Sequence, residues 1–232
     1  MRVFVTGATG HMGRALIPVL NARGHDVTAL VRPGSESKAP DGCSVLPGNP
    51  LDPVSFTTRM PDCDTLVHLV GTAHPSPWKG QQFRDIDQAS LNASVTAARI
   101  RGIPHLVYVS VAQPALIMRA YIQVRAECEQ TIRDAGLNAS ILRPWYVLGP
   151  GRRWPAVLIP LYKLFEVIPT TREGAVRLGL VTMEQMISAL VWSVENPPTG
   201  VRITGVPGMR SIPPLSRTSR GTATPGRSAT HG

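Results

Sequence analysis

The sequence is poor in cysteine, and its few potential metal ligands are scattered along the chain. Only three cysteines occur among 232 residues, and no two of them form a C-x-x-C pair. This spacing excludes a disulfide framework and gives no indication of a zinc site. No cluster of His, Cys, Asp and Glu has ligand spacing, so we predict no metal. Because few thiols and no disulfides are typical of a reducing compartment, we expect a cytoplasmic protein.

Acidic residues are fewer than basic ones, 15 against 24, which gives a formal net charge of +9. The final stretch, residues 210–232, holds four arginines and no acid, so +5 remains for the other residues once these four are subtracted. That remainder is spread without a basic run interleaved with aromatic residues, and we therefore expect no nucleic-acid partner. The final stretch is rich in Ser, Thr, Pro, Gly and Arg and is predicted to be a disordered tail.

Long apolar runs are also missing. The most apolar stretch, residues 155–169, is too short to cross a bilayer of about 30 Å. Pro160, Lys163 and Glu166 interrupt it. We interpret it as a core or lid helix, with a membrane-surface helix as the alternative, and we expect no transmembrane segment. The chain begins directly with an apolar strand, so no secretory signal is expected.

Short apolar runs alternate with stretches of helical periodicity over the first 150 residues. This alternation is typical of βαβ units and of a parallel sheet. The pattern predicts strands at 3–5, 27–31, 44–46, 65–70, 105–110 and 139–142, and helices at 11–23, 53–59, 81–101 and 118–135. We therefore predict an α/β protein with a doubly wound, Rossmann-type parallel sheet in one domain covering residues 1–209.

The alternation becomes less regular in residues 151–205. Helical periodicity predicts helices at 154–168 and 183–195, with short strands at 178–181 and 201–204. The block is too short to be an independent domain. We interpret it as a small C-terminal cap on the substrate side of the same sheet.

The first strand runs directly into glycines at positions 7, 10 and 13, where a helix begins. In this context one glycine permits the tight turn, one lets a pyrophosphate approach the backbone, and one allows close packing of helix and strand. The helix N-terminus offers free N–H groups to phosphates. We predict dinucleotide contacts from Thr6, Gly7, Thr9, Gly10, His11, Met12 and Gly13.

The residue that ends the second strand selects the cofactor. A carboxylate there would bind the ribose hydroxyls of NAD, but the residue is Arg32, whose planar fork suits the 2′-phosphate of NADP. We predict NADP, with NAD as the alternative in which Arg32 is a solvated loop residue. Asp52 is a candidate partner for the adenine amino group, and Gly71 would leave room for the dinucleotide. Further cofactor contacts are predicted from Val70, Thr72 and Pro144.

Several motifs together resemble a known superfamily. They are the glycine turn, Val31-Arg32, the strand ending in Ser110, Tyr121-x-x-x-Arg125 and Leu142-Arg143-Pro144-Trp145. Over residues 1–205 the chain resembles the atypical and extended short-chain dehydrogenases/reductases. It is most similar to the NAD(P)H-binding branch that contains NmrA-like proteins and relatives of the complex I accessory subunit.

The resemblance implies a catalytic site. In active members a tyrosine is the general acid/base, a lysine four residues later lowers its pKa and holds the ribose, and a serine orients the substrate. Tyr121 and Ser110 match the tyrosine and the serine, while Arg125 occupies the lysine position. The alternative is structural: Arg125 pairs with Glu129 on one helix face, and Tyr121 is a half-buried packing residue.

Two histidines flank the end of the fourth predicted strand. His68 lies inside the strand and is predicted to be a hydrogen-bonded core residue. His74 follows the strand at the carboxyl end, where ligands bind in such sheets, and is a candidate for substrate contact.

Two functions remain open from the sequence. The first is an NADP-dependent oxidoreductase or epimerase-like enzyme that acts on an unknown small molecule. The second is a non-catalytic NADP(H)-binding redox sensor or assembly factor with a protein partner.

Overall fold

The computed structural model describes residues 1–72, 76–113, 118–148 and 179–215. A seven-stranded sheet, parallel throughout, forms the centre of the described chain. Its strands are β1 (Arg2–Thr6), β2 (Asp26–Val31), β3 (Ser44–Pro47), β4 (Thr65–His68), β5 (Leu106–Val109), β6 (Ala139–Arg143) and β9 (Val201–Gly205). They lie in the order β3-β2-β1-β4-β5-β6-β9. Two further strands, β7 (Tyr146–Leu148) and β8 (Leu180–Thr182), pair with each other in parallel. The predicted doubly wound Rossmann sheet is confirmed.

Helices cover both faces of the sheet. The described helices are α1 (His11–Ala22), α2 (Gly80–Gln82), α3 (Ala89–Ile100), α4 (Arg119–Asp134), α5 (Met183–Glu195) and α6 (Val206–Ser211). A π-helical segment, Phe83–Gln88, joins α2 to α3. Short 3₁₀ turns lie at Glu36–Lys38, Pro53–Ser55, Thr57–Arg59 and Pro77–Lys79.

Alternating side chains of the strands divide the core in two. Val3 and Val5 of β1 pack into a cluster with α1 and α5, whereas Phe4 between them packs into a second cluster with α3 and α4. This follows from the two-residue period of a strand, which sends successive side chains to opposite faces of the sheet. Both faces of the sheet are therefore buried, as the apolar strands predict.

Helix ends follow local chemistry that the sequence makes visible. Gly24, Gly102 and Gly136 follow α1, α3 and α4 with φ values of 79°, 62° and 67°. Glycine adopts this left-handed conformation without the steric cost that a Cβ would bring. At the start of α5, Thr182 and Gln185 form a reciprocal capping box. The bounds of these helices agree with the prediction to within about two residues, except for α3.

Four segments differ from the prediction. Residues 53–59 form two 3₁₀ turns in place of a helix, and Asp52 caps the first of them, which begins at Pro53. Residues 83–88 are π-helical within the predicted helix 81–101. Strand β7 and helix α6 were not predicted. Pro207 lies in the first turn of α6, where its missing N–H costs no hydrogen bond.

The C-terminal part of the described chain belongs to the layers of the main sheet. Strand β9 adds to the sheet beside β6, and α5 packs on α1. Arg210, placed in the predicted tail, is helical and donates to the carbonyl oxygen of Leu180. The predicted helix at 154–168 and the tail beyond residue 215 lie outside the described residues, so the division into cap and tail stays a prediction. No helix among residues 1–72, 76–113, 118–148 and 179–215 is long and apolar enough to cross a membrane.

Candidate functional site

The glycine turn after β1 packs tightly against the end of β4. Gly7 has a φ of 75°, and a Cβ on it would lie 2.7 Å from the carbonyl carbon of Leu69 and 2.8 Å from the nitrogen of Val70. A Cβ on Gly13 would lie 2.6 Å from the Cα of Ala8. Neither position has space for a side chain, so both glycines are required by the packing of the turn itself.

The same turn leaves the first turn of α1 open. Gly10 is the N-cap of α1, no side chain caps the helix, and its first turn contains no acidic residue. Gly10 and His11 are exposed, and Thr9 and Met12 are half-buried. Backbone N–H groups at an uncapped helix N-terminus attract anions, so the geometry fits the phosphates of a dinucleotide.

Thr6 and His68 lie beneath the turn and form a buried polar chain. The Thr6 hydroxyl and His68 Nδ1 are 3.0 Å apart, and Ser94 Oγ lies 2.9 Å from the same nitrogen. Burial lowers the pKa of His68 to about 3, so its ring is neutral. The prediction that His68 is a hydrogen-bonded core residue is confirmed. His74 lies outside the described residues.

Arg32 follows β2 at the carboxyl end of the sheet and is exposed. Its guanidinium has no partner among the described residues. A groove between α1 and the segment after β2 brings two more cations to this side; it is lined by Arg14, Pro18, Ser37, Lys38, Ala39, Pro40 and Asp41.

Asp52, the predicted adenine partner, is exposed and accepts a hydrogen bond from the Val54 nitrogen at 3.0 Å.

The end of β4 is tied to a different helix. The Thr72 nitrogen and hydroxyl both donate to Asp87 Oδ2, at 2.9 Å and 2.5 Å. Gly71 is exposed, and a Cβ on it would lie 2.6 Å from a guanidinium nitrogen of Arg125. The space at Gly71 is thus used by this arginine. Val70, between Leu69 and Gly71, is half-buried.

Arg125 is buried, with 7% of its side chain exposed. It forms an ion pair with Asp87 and donates to the Tyr108 hydroxyl at 3.1 Å and to the Val109 carbonyl oxygen at 2.8 Å. Its guanidinium carbon lies 5.1 Å from the centre of the Tyr121 ring. Burial alone would lower the pKa of Arg125, but Tyr108, Tyr121 and Asp87 raise it well above its ordinary value.

The pair between Arg125 and Glu129, which the structural alternative predicted, is therefore wrong. The two side chains share helix α4, but Arg125 pairs with Asp87. Glu129 pairs with Arg143, the last residue of β6, and with Arg133. Tyr121 is half-buried, and its ring packs 4.9 Å from the ring of Phe83. The structure thus places Tyr121 and Arg125 together and supplies Arg125 with protein partners of its own.

Ser110 is also committed to a protein partner. Its hydroxyl donates to Glu129 Oε1 at 2.7 Å, and the amide of Gln113 donates to the same oxygen at 2.8 Å. Arg143 binds both oxygens of this carboxylate. Burial opposes ionisation of Glu129, but hydrogen bonds from Arg143 and Ser110 outweigh it, so the pKa of the carboxyl group is lowered. Pro144, a predicted cofactor contact, is buried, and its carbonyl oxygen accepts from the Ala112 nitrogen.

Sequence reasoning missed Asp87 altogether, and it missed the roles of Gln113 and Arg143. Asp87 lies in a stretch of helical periodicity where a carboxylate is ordinarily solvated, so only its burial among apolar neighbours distinguishes it. Arg143 was part of a motif, but no local signal paired it with Glu129. Among the residues that the structure describes, no group of three His, Cys, Asp or Glu side chains could hold a metal ion.

Comparison with known proteins agrees with this geometry. A family model described as NAD(P)H-binding matches residues 7–153, more than half of the chain. The chain therefore belongs to this NAD(P)H-binding family, and it binds a nicotinamide dinucleotide. The predicted resemblance is confirmed at the level of reductases and epimerases, whereas the link to NmrA-like proteins and to complex I stays a prediction.

Two curated relatives are reductases. The chain is 25% identical to ceramide reductase of Caulobacter vibrioides over 86% of its own length and 62% of that protein. It is 26% identical to 3-diazoavenalumate denitrifying reductase of a Streptomyces species, over 94% of its own length and 81% of that protein. The chain thus spans less than two thirds of the first relative.

Solved structures share the fold at lower identity. UDP-N-acetylglucosamine 4-epimerase from Bacillus cereus superposes with a TM-score of 0.65 at 17% identity, covering 88% of this chain and 79% of that one. The Bordetella bronchiseptica enzyme WbmH, solved with NAD+, gives a TM-score of 0.64 at 18% identity, over 88% and 75% of the two chains. These similarities establish the fold.

Proposed function

We propose that this chain is an NADP-dependent oxidoreductase or epimerase-like enzyme in which Tyr121 transfers the proton. The observation that carries the choice of cofactor is Arg32, an exposed guanidinium without a described partner beside the open glycine turn. A guanidinium binds phosphate through two parallel hydrogen bonds. Arg14 and Lys38 add positive charge in the neighbouring groove.

The topology supports an orientation for the dinucleotide. The strand order reverses between β1 and β4, and a dinucleotide lies across the crevice at such a switch point. The adenosine half would lie on the side of β2 and β3, near Arg32. The nicotinamide half would lie over the ends of β4, β5 and β6, where Thr72, Ser110 and Tyr121 are found.

Reductase chemistry needs a hydride and a proton. A reduced nicotinamide, when bound, would supply the hydride to the carbonyl carbon of a substrate. The Tyr121 hydroxyl would donate its proton to the carbonyl oxygen, and in the reverse direction it would accept that proton. Ser110 can orient the oxygen only by giving up its hydrogen bond to Glu129. Two curated relatives named as reductases support this class of reaction.

Titration with NADPH and NADH tests the cofactor. We expect tighter binding of NADPH in the wild type, and Arg32→Asp should weaken NADPH binding at least about tenfold, because charge-assisted hydrogen bonds contribute roughly 1.5–3 kcal/mol. Arg99→Asp is the matched control, since Arg99 is exposed on α3 and carries the same charge change. Equal affinity of Arg32→Asp and Arg99→Asp for NADPH would refute the assignment of Arg32.

A second candidate function is a non-catalytic NADP(H)-binding sensor or assembly factor. The contacts of two residues favour it: Arg125, in the lysine position, is bound to Asp87, Tyr108 and Val109, and Ser110 donates to Glu129. Turnover with quinone and aldehyde substrates separates the two functions. An enzyme should lose its turnover in Tyr121→Phe, whereas a sensor should show cofactor binding without turnover and a protein partner that Gly10→Asp releases.

A further inference from the structure

One buried carboxylate joins the segment after β4 to the helix of Tyr121. Residues 70–72, here named the β4 loop, reach Asp87 through Thr72, whose nitrogen and hydroxyl both donate to Oδ2. Asp87 is fully buried and lies in the π-helical segment Phe83–Gln88. Such π-helical turns are costly to form and concentrate at functional sites.

The other oxygen of the same carboxylate faces α4. Asp87 Oδ1 accepts from Arg125, whose guanidinium lies against the Tyr121 ring. Phe83, from the same π-helical segment as Asp87, packs on Tyr121, and the centres of the two rings lie 4.9 Å apart. Tyr121 is therefore held by the ion-pair partner of Asp87 and by the segment that contains Asp87.

This arrangement requires a carboxylate. Asp87 accepts from three donor groups on two different elements, and an amide of the same shape would turn an N–H₂ group toward one of them. Gly71 lacks the Cβ that would displace the Arg125 guanidinium. The β4 loop and α4 are therefore joined through one carboxylate by direct hydrogen bonds.

We propose that Asp87 is a positioning residue, which sets the β4 loop and Tyr121 in register with the nicotinamide half of the bound dinucleotide. The proposal rests on the proposed binding orientation and adds a residue that acts through others. Asp87 does not touch the cofactor itself. Its effect is expected on the nicotinamide half alone, because the adenosine half binds at β1 and β2.

Matched ligands separate the two halves. Calorimetry would compare NADPH with adenosine 2′,5′-bisphosphate, and NADH with AMP, so that each dinucleotide is paired with its own adenosine half. For Asp87→Asn we expect the dinucleotide to bind at least about fivefold more weakly, the lower range of coupling between linked sites. The affinity for the adenosine half should be unchanged.

Three further variants complete the test. Asp85→Asn is the matched control, because Asp85 is exposed in the same segment. Thr72→Val removes one donor to Asp87 and leaves the ion pair with Arg125 intact, so it should show the same selective loss even where Asp87→Asn fails to fold. Thr72→Ser keeps the hydroxyl that donates to Asp87, so it should retain more dinucleotide affinity than Thr72→Val.

The outcomes are distinguishable. The positioning role would be overturned if Asp87→Asn or Thr72→Val lost affinity for the dinucleotide and for its adenosine half to the same extent. It would also be overturned if the folded variants bound both ligands as tightly as the wild type. A wild type that binds neither dinucleotide would refute the proposed function itself, and the inference with it.

Discussion

The two sides of the switch point differ in how the protein treats its own polar groups. On the side of β1 and β2, the first turn of α1 is uncapped and Arg32 is exposed without a described partner. On the side of β4 to β6, the charges of Asp87, Arg125 and Glu129 are buried and paired with one another or with neighbours. One side is open to a ligand, and the other is held by internal contacts.

This difference assigns distinct physical roles to similar residue types. Arg32 can be replaced at little cost to the free energy of unfolding, because its exposed side chain interacts with solvent and with no described protein partner. Arg125 balances a buried carboxylate and cannot be removed without leaving that charge unpaired. Cofactor affinity should therefore be more sensitive to substitutions on the side of β1 and β2, here called the open side. The free energy of unfolding should be more sensitive to substitutions on the side of β4 to β6, here called the closed side.

Arg125→Met should give the largest effect on stability. It leaves Asp87 buried without its cation, and we expect a loss of about 3–5 kcal/mol in the free energy of unfolding. Arg32→Met is the matched control and should change it by less than about 0.5 kcal/mol. Urea unfolding followed by circular dichroism measures both. Equal losses in the two variants would remove the distinction between the two sides.

Glu129→Gln should follow in size. Glu129 is buried with hydrogen bonds from Ser110, Gln113 and Arg143, so loss of its charge should lower the free energy of unfolding by about 2–3 kcal/mol. Glu127→Gln, two residues earlier on α4, breaks an exposed pair with Arg84 and should cost less than about 1 kcal/mol. The same urea titration checks the pair, and a larger loss in Glu127→Gln would contradict the assignment.

Acid should lower the free energy of unfolding at pH values above those at which the carboxylates become protonated. Burial lowers the pKa of His68 to about 3 and that of His105 to about 4, from 6.5. Since the unfolded chain binds these protons first, stability falls as the pH drops below about 6.5, approaching roughly 1.4 kcal/mol per pH unit for each histidine.

Urea unfolding between pH 7.5 and 5 measures this slope. In His105→Asn the slope should be about half that of the wild type, because only His68 then contributes the effect. An unchanged slope in this variant would show that His105 is not neutral in the folded protein.

Gly71→Ala should have the smallest effect, about 1 kcal/mol, as its new methyl group displaces the Arg125 guanidinium. A double-mutant cycle with Arg125→Met checks the cause, because the cost of Gly71→Ala should disappear once the guanidinium is gone. A cost that persists in the Arg125→Met background would place the strain elsewhere.

Local features of this chain were predictable from the sequence, and distant pairings were not. Gly7, Gly10 and Gly13 indicated the turn because the strand and helix that flank them are adjacent in the chain. Helix α4 was predicted to within one residue at each end from its periodicity and Gly136. These signals act over a few residues.

Contacts over longer separations carried no such signal. Asp87 and Arg125 are 38 residues apart, and Glu129 and Arg143 are 14 apart. Each carboxylate lies in a helical stretch where several cations could pair with it, so the partner depends on how the helices pack. Because this packing was not known from the sequence, the structural alternative paired Arg125 with Glu129, and that pair is wrong.

The contact between Gly7 and the end of β4 also bears on how the protein is synthesised. The turn is encoded in the first 13 residues, but the wall against which it packs is made by Leu69 and Val70. A nascent chain that has emerged only as far as β3 contains all three glycines of the turn but lacks β4, against whose end the turn packs. We therefore expect dinucleotide binding to begin only after β4 has left the ribosome and paired with β1.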